Sequence, residues 1–174
     1  MDTSPRAGTT VAGIDDHGQT RALWLRRVAA AGLLVLVVAA LVGLLGVRTD
    51  EVEAEQDDYR LAVRYPATAR AGLDTPWRVT VEHPGGFGDE ITLAVTGRYF
   101  DLFETQGFHP EPSEETRDAS TLYLTFAAPE ADTFVVEYDA YIQPSSQRGA
   151  SARVAVVDGT TPLVSVDLTT RLLP

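Results

Sequence analysis

The chain has 174 residues and a mass of 18.8 kDa, room for one ordinary domain with appendages. Its 14 basic residues, all arginine, face 25 acidic ones for a net charge of −11, so no cluster of cations can grip phosphates and nucleic acid is excluded as a partner. Cysteine, lysine and asparagine are absent, which removes disulfides, thiolate chemistry, Schiff bases, the phosphate-loop lysine, Asn-linked glycans and lysine isopeptide cross-links.

Residues 1–27 open the chain, and 1–20 are small and polar with neither a helical nor a strand period. They read as a disordered cytoplasmic tail. Residues 28–47 form an unbroken run of 20 without a charged or polar side chain. As a helix such a run is about 30 Å long, the thickness of a bilayer's hydrocarbon core. A secretory signal has a shorter apolar region ending in a small-x-small cleavage site, and the Val47-Arg48-Thr49-Asp50 that follows lacks one. The run therefore predicts an uncleaved signal-anchor.

Arg21, Arg26 and Arg27 precede the span, and only Arg48 follows it closely. The positive-inside rule puts the N-terminus in the cytoplasm and residues 48–174 outside the plasma membrane, with Trp24 at the inner interface. Charge agrees: the tail holds four Arg and three Asp, the outer part ten Arg and 22 acids. Within the span, Ala39 and Gly43 make a small-xxx-small pair, the spacing at which two helices approach closely, so a homodimer through the helix is a candidate arrangement.

Residues 48–58 (RTDEVEAEQDD) carry six acids and one Arg and predict an extended acidic linker. From Tyr59 the apolar period is two. Tyr59, Leu61, Val63 and Tyr65 alternate with smaller or polar residues until Pro66, and Trp77, Val79 and Val81 do so until Pro84-Gly85-Gly86. Ile91, Leu93, Val95; Leu122, Leu124, Phe126; Phe134, Val136, Tyr138; Val154, Val156; and Val164, Val166, Leu168 repeat the pattern. Asp158-Gly159 between two such runs predicts a hairpin whose two central residues take positive φ. Seven short strands without a helix predict an all-β, immunoglobulin-like antiparallel sandwich over 59–174.

Arg70-Ala71-Gly72-Leu73-Asp74-Thr75-Pro76-Trp77, Tyr99-Phe100-Asp101-Leu102-Phe103-Glu104 and Pro110-Glu111-Pro112-Ser113-Glu114-Glu115 resemble segments of a bacterial family. Its members are small single-pass membrane proteins of high-GC Gram-positive bacteria, with a short inner tail and an outer β-domain. The resemblance covers the span and most of 59–174; it implies compartment and architecture and carries no catalytic residues.

Chemistry-bearing motifs are missing. No Gly-x-Ser-x-Gly or His-Glu-x-x-His occurs, and His83 and His109 each stand before a proline, a position suited to strand ends and loops. Gly85-Gly86-Phe87-Gly88 precedes no helical pattern and reads as a turn. Glu111, Glu114, Glu115 and Asp118 read as a solvated loop. No catalytic, cofactor-binding or metal-binding residue is assigned. The connection 103–122 nevertheless holds aromatic surplus: strand alternation buries only one side of Tyr99, Phe100, Leu102 and Phe103, and Phe108 follows. These five read either as a wide, locally irregular strand tucked into the core or as a candidate partner-binding rim, and burial of Phe100 and Phe103 separates the two.

Three function classes follow. The first is a non-enzymatic accessory protein whose outer domain binds another membrane or envelope protein. The second is a module for carbohydrate or Ca²⁺. The third is a hydrolase with an unfamiliar site, which requires His83 or His109 in a pocket beside a serine or carboxylate.

Overall fold

The computed structural model describes residues 16–41 (16–20 as backbone), 46–96, 98–104 and 107–173. The chain divides into two units between residues 44 and 45. The first contains helix α1, Asp16–Leu41, whose stretch Arg21–Leu41 has a mean hydropathy of 1.9 and is long and apolar enough to cross a membrane. Leu33, Leu34, Val35 and Leu36 are all exposed on it, an apolar surface that asks for an apolar solvent. The helix starts well before residue 28, where the tail was expected to end, because Arg21-Ala22-Leu23 and Leu25-Arg26-Arg27 are good helix formers. The earlier part of the expected tail, residues 1–15, lies outside the described residues, as do 42–45 within the expected span.

The second unit is all-β. Its strands are β1 (Arg48–Gln56), β2 (Tyr59–Arg70), β3 (Asp74–Glu82), β4 (Glu90–Thr96), β5 (Phe108–His109), β6 (Glu114–Arg117), β7 (Thr121–Ala127), β8 (Thr133–Tyr141), β9 (Ala150–Asp158) and β10 (Thr161–Leu173). A 3₁₀ turn, Tyr99–Leu102, follows β4. All seven strands expected from the period of two are present, as β2, β3, β4, β7, β8, β9 and β10. Their hydrogen bonds form two layers, β1-β2-β3-β8-β5 and β10-β9-β4-β7-β6. The layers join through β10, which pairs with β9 over Thr161–Thr170 and then, in parallel, sets Arg171, Leu172 and Leu173 against Thr68, Ala69 and Arg70 of β2.

The inward positions of both layers form one cluster: Leu61, Val63, Trp77, Val79, Val81, Phe134 and Val136 from the first, and Leu93, Val95, Leu124, Phe126, Val154, Val156 and Val164 from the second. Cross-strand partners share a face, so Val63, Val79 and Val136 lie side by side, as do Leu124, Leu93 and Val156. Burial of this set drives the domain's folding.

The acidic segment is a correction. Residues 48–56, expected as a linker, are strand β1, in register with β2 from Arg48 opposite Thr68 to Gln56 opposite Tyr59. Val52 and Ala54 pack against the core while Glu51, Glu53 and Glu55 stay exposed. Arg60 of β2 offsets their repulsion: its Nη2 donates to Glu53 Oε2 at 2.7 Å and its Nη1 lies 3.6 Å from Glu82 Oε2. A row of like charges suits an edge strand, because it discourages pairing with a further chain. The β1–β2 hairpin turns at Asp57 and Asp58, both at positive φ (50° and 66°), a two-residue turn made without the usual Asn or Gly. At the hairpin expected from Asp158-Gly159, Asp158 pairs with Thr161, so Gly159 (φ 58°) takes the first central position and Asp158 ends its strand. Only one residue there has positive φ, where two were expected.

Candidate functional site

The connection between β4 and β7 crosses to the first layer at β5, returns to the second at β6 and leaves a cleft behind. Tyr99–Leu102 wind as a 3₁₀ turn, whose period of three sends Tyr99 and Leu102 inward together. Phe103 then bridges to Ile142 and is also buried. Of the two readings of this segment, Tyr99, Leu102 and Phe103 follow the first: they are core residues, with exposures of 1%, 4% and 1%, and leave the candidate rim. The correction has a local cause: a strand would have turned alternate side chains out, and the tighter turn does not. Tyr99 is further held by a 2.8 Å hydrogen bond with the Thr170 hydroxyl, both groups buried. Burial pushes the Tyr99 phenol well above its ordinary pKa.

Phe100 and Phe108 are the two of the five that remain half-buried. They stand with Tyr138 and Trp77 in one aromatic stack. Phe100 meets Trp77 edge-on at 5.2 Å and Tyr138 at 5.1 Å, and Phe108 meets Tyr138 at 4.7 Å and Phe100 at 5.4 Å. Trp77 and Tyr138 face each other across β3 and β8, and Phe108 of β5 pairs with Tyr138 on its other side. The Tyr138 hydroxyl donates to the Glu104 carbonyl at 3.0 Å.

Over this floor opens a cleft of about 700 Å³, lined also by Asp101, His109, Glu111, Glu115, Arg117 and Leu122. It separates β5, the edge of the first layer, from β6, the edge of the second. Glu115 and Arg117 of β6 sit opposite Leu124 and Leu122, both core residues, so charged side chains occupy the inward face of that edge. The sandwich cannot close over them. Asp101 is satisfied locally, accepting from Arg98 Nε at 2.5 Å with Arg117 Nη1 at 3.9 Å. Neither Glu111 nor Glu115 has an ion-pair partner among the described residues.

The acidic stretch noted in the sequence thus divides by role. Glu111 and Glu115 line the cleft, and Glu114 does not. Asp118 closes its own turn, accepting from the backbone N–H of Ser120 (2.8 Å) and Thr121 (2.7 Å), which hold its carboxyl below the usual range. His109 lines the cleft with the carboxylate of Glu111, its Nε2 3.3 Å from Asp139 Oδ2, and the side chains of His109 and Asp139 are both largely exposed. His83 is elsewhere, stacked on Tyr59 at 4.0 Å, its Nδ1 donating to the Gly86 carbonyl at 2.5 Å. Among the described residues no group of three or more His, Asp or Glu could hold a metal ion. On α1, Ala39 is half-buried, and its proposed partner Gly43 lies outside the described residues.

No protein-family model matches this chain, and no curated protein matches it.

Proposed function

We propose that this chain is a non-enzymatic accessory protein, held in the plasma membrane by α1 with its β-domain on the outer side, where the domain binds another membrane or envelope protein. The observation that carries this reading is the cleft between the two sheet edges, in which Phe100 and Phe108 stay half-buried beside Glu111 and Glu115, which have no ion-pair partner among the described residues. Aromatic residues that fold energy would bury, left at a mouth between open edges, mark interaction surfaces. Orientation rests on Arg21, Arg26 and Arg27 before the apolar stretch against Arg48 alone after it.

Strand order supports an immunoglobulin-like assignment. β2-β3-β8-β5 correspond to strands A-B-E-D of one sheet and β4-β9-β10 to C-F-G of the other, with β7 and β6 extending the C edge. Sandwiches of that class are widely used for binding, an argument by analogy that the cleft makes specific.

The test is capture of the full-length protein, tagged at its C-terminus, from its native membrane in mild detergent. A single stoichiometric membrane or envelope protein, lost from the Phe108→Ser variant, is the expected result. Recovery of the protein alone would remove the reading.

A further inference from the structure

Resting on that reading, we infer that the occupant of the cleft is an extended basic segment of the partner protein, which pairs with the free edge of β6 and places an arginine or lysine between Glu111 and Glu115 over the aromatic floor. Three features of the chain converge on that chemistry. The carboxylates of Glu111 and Glu115 line the cleft without an ion-pair partner among the described residues. The rings of Phe100, Phe108 and Tyr138 line the same cleft, and aromatic rings attract cations over their faces. The outer region carries ten Arg against 22 acids, a field that draws positively charged partners and repels negative ones.

The occupant is a segment of protein because the site includes a strand edge. β6 ends the order of its layer, with β7 on one side and no strand on the other among the described residues. Its outward main-chain groups are a template for one further strand. Side chains alternate along such a strand, so every second residue of the guest falls on the face that Glu115 and Arg117 share, toward the cleft. Arg117 repels a cation near Asp101 and so directs it toward the Glu111 and Glu115 end. A rival account exists for the same residues: inward-pointing charge on an edge can serve only to stop pairing. It predicts that neither peptide nor partner binds there.

The experiment uses the full-length protein in nonionic detergent micelles and a fluorescein-labelled peptide of about six residues, the length of an ordinary strand, alternating Arg and Thr. Binding is read by anisotropy at low and raised salt. The expected result is saturable binding that weakens with salt, falls roughly threefold in Glu111→Gln or Glu115→Gln, and falls about tenfold in the double variant, as for exposed charge pairs. The Phe108→Leu variant, which keeps volume and removes the ring face, weakens binding further. Each of these residues is partly or fully exposed, and an unchanged urea midpoint shows that the variants are folded.

Equal binding of a peptide with citrulline in place of Arg would overturn the cationic assignment. Equal competition by free arginine amide, arginine for arginine, would reduce the site to one for small cations and overturn the partner segment. A captured partner that is indifferent to Glu111→Gln and Glu115→Gln overturns this inference and leaves the accessory reading standing. Absence of any captured partner removes that reading itself, whatever the peptide does.

Discussion

Trp77 offers a quantitative test of the core and of the cleft floor together. Its side chain is 1% exposed and meets Phe100, Phe108 and Tyr138 edge-on at 5.2, 6.3 and 6.4 Å. Replacing a buried Trp by Ala removes transfer energy and leaves a cavity, a loss of about 3–5 kcal/mol. Against a total stability of roughly 5–15 kcal/mol for a domain, that is about a fifth or more. Trp77 carries a second feature of opposite sign: its indole N–H is buried without a hydrogen-bond partner among the described residues. An unsatisfied buried donor costs about 1–3 kcal/mol, and phenylalanine removes it while keeping a ring against the same neighbours. Trp77→Phe is therefore expected to cost less than half as much as Trp77→Ala, about 0–2 kcal/mol. The assay is urea unfolding of the fragment 46–174 followed by far-ultraviolet circular dichroism. With a slope near 2 kcal/mol per molar, Trp77→Ala lowers the midpoint by about 2 M and Trp77→Phe by less than about 1 M. Equal losses in the two variants would refute the argument from the orphaned N–H. A loss below about 1 kcal/mol in Trp77→Ala would refute the placement of Trp77 at the centre of the core.

Three further outcomes are expected. Gly149→Ala would put a Cβ 1.9 Å from the Thr170 carbonyl oxygen, a clash with backbone that only separation of β9 from β10 relieves; a loss of about 3 kcal/mol or more, read in the same urea melts, is expected. Tyr99→Phe leaves the buried Thr170 hydroxyl unpaired and costs about 1–3 kcal/mol, and adding Thr170→Val recovers part of it; in the wild type, the raised phenol pKa means stability is full below pH 10 and falls as pH rises past it, since the unfolded chain ionises first. Replacing Asp57-Asp58 by Asn-Gly, which accept positive φ readily, raises stability by about 1 kcal/mol, and an unchanged melt would mean the two aspartates bear no strain.

What the sequence discloses follows burial. A strand buried on one face must alternate, and Leu61-Ala62-Val63 or Leu122-Tyr123-Leu124 does so openly. An edge strand buries so little that its pattern fades. β1 does alternate, as Glu51-Val52-Glu53-Ala54-Glu55, yet its apolar half is two small residues and its charge reads as repulsion, because the arginine that relieves it is supplied by β2. β6 has no apolar half at all, since its inward face lines a cleft. The aromatic surplus at Tyr99–Phe103 was visible, but its sorting depended on whether the backbone turned with a period of two or three, which composition does not decide. Phe100 and Phe108 belonged to that visible surplus, whereas Tyr138 read as one more core position. Its place under the cleft depends on β5, a strand two residues long.

The double allegiance of β10 has a consequence for the order in which this domain comes into being. The strand pairs along β9 and finishes against β2, about a hundred residues earlier in the chain. Until β10 has been synthesised, each half-built sheet offers a bare edge, and the inward faces of both have nothing to hold them in register. Contacts of such sequence separation form slowly, in milliseconds to seconds for sandwiches of this kind. The nascent chain therefore passes through an interval in which most of its apolar residues are present and no closed structure is accessible to them. The arginine-relieved glutamates of β1, which blunt one of those edges from the start, guard the domain during that interval as well as afterwards.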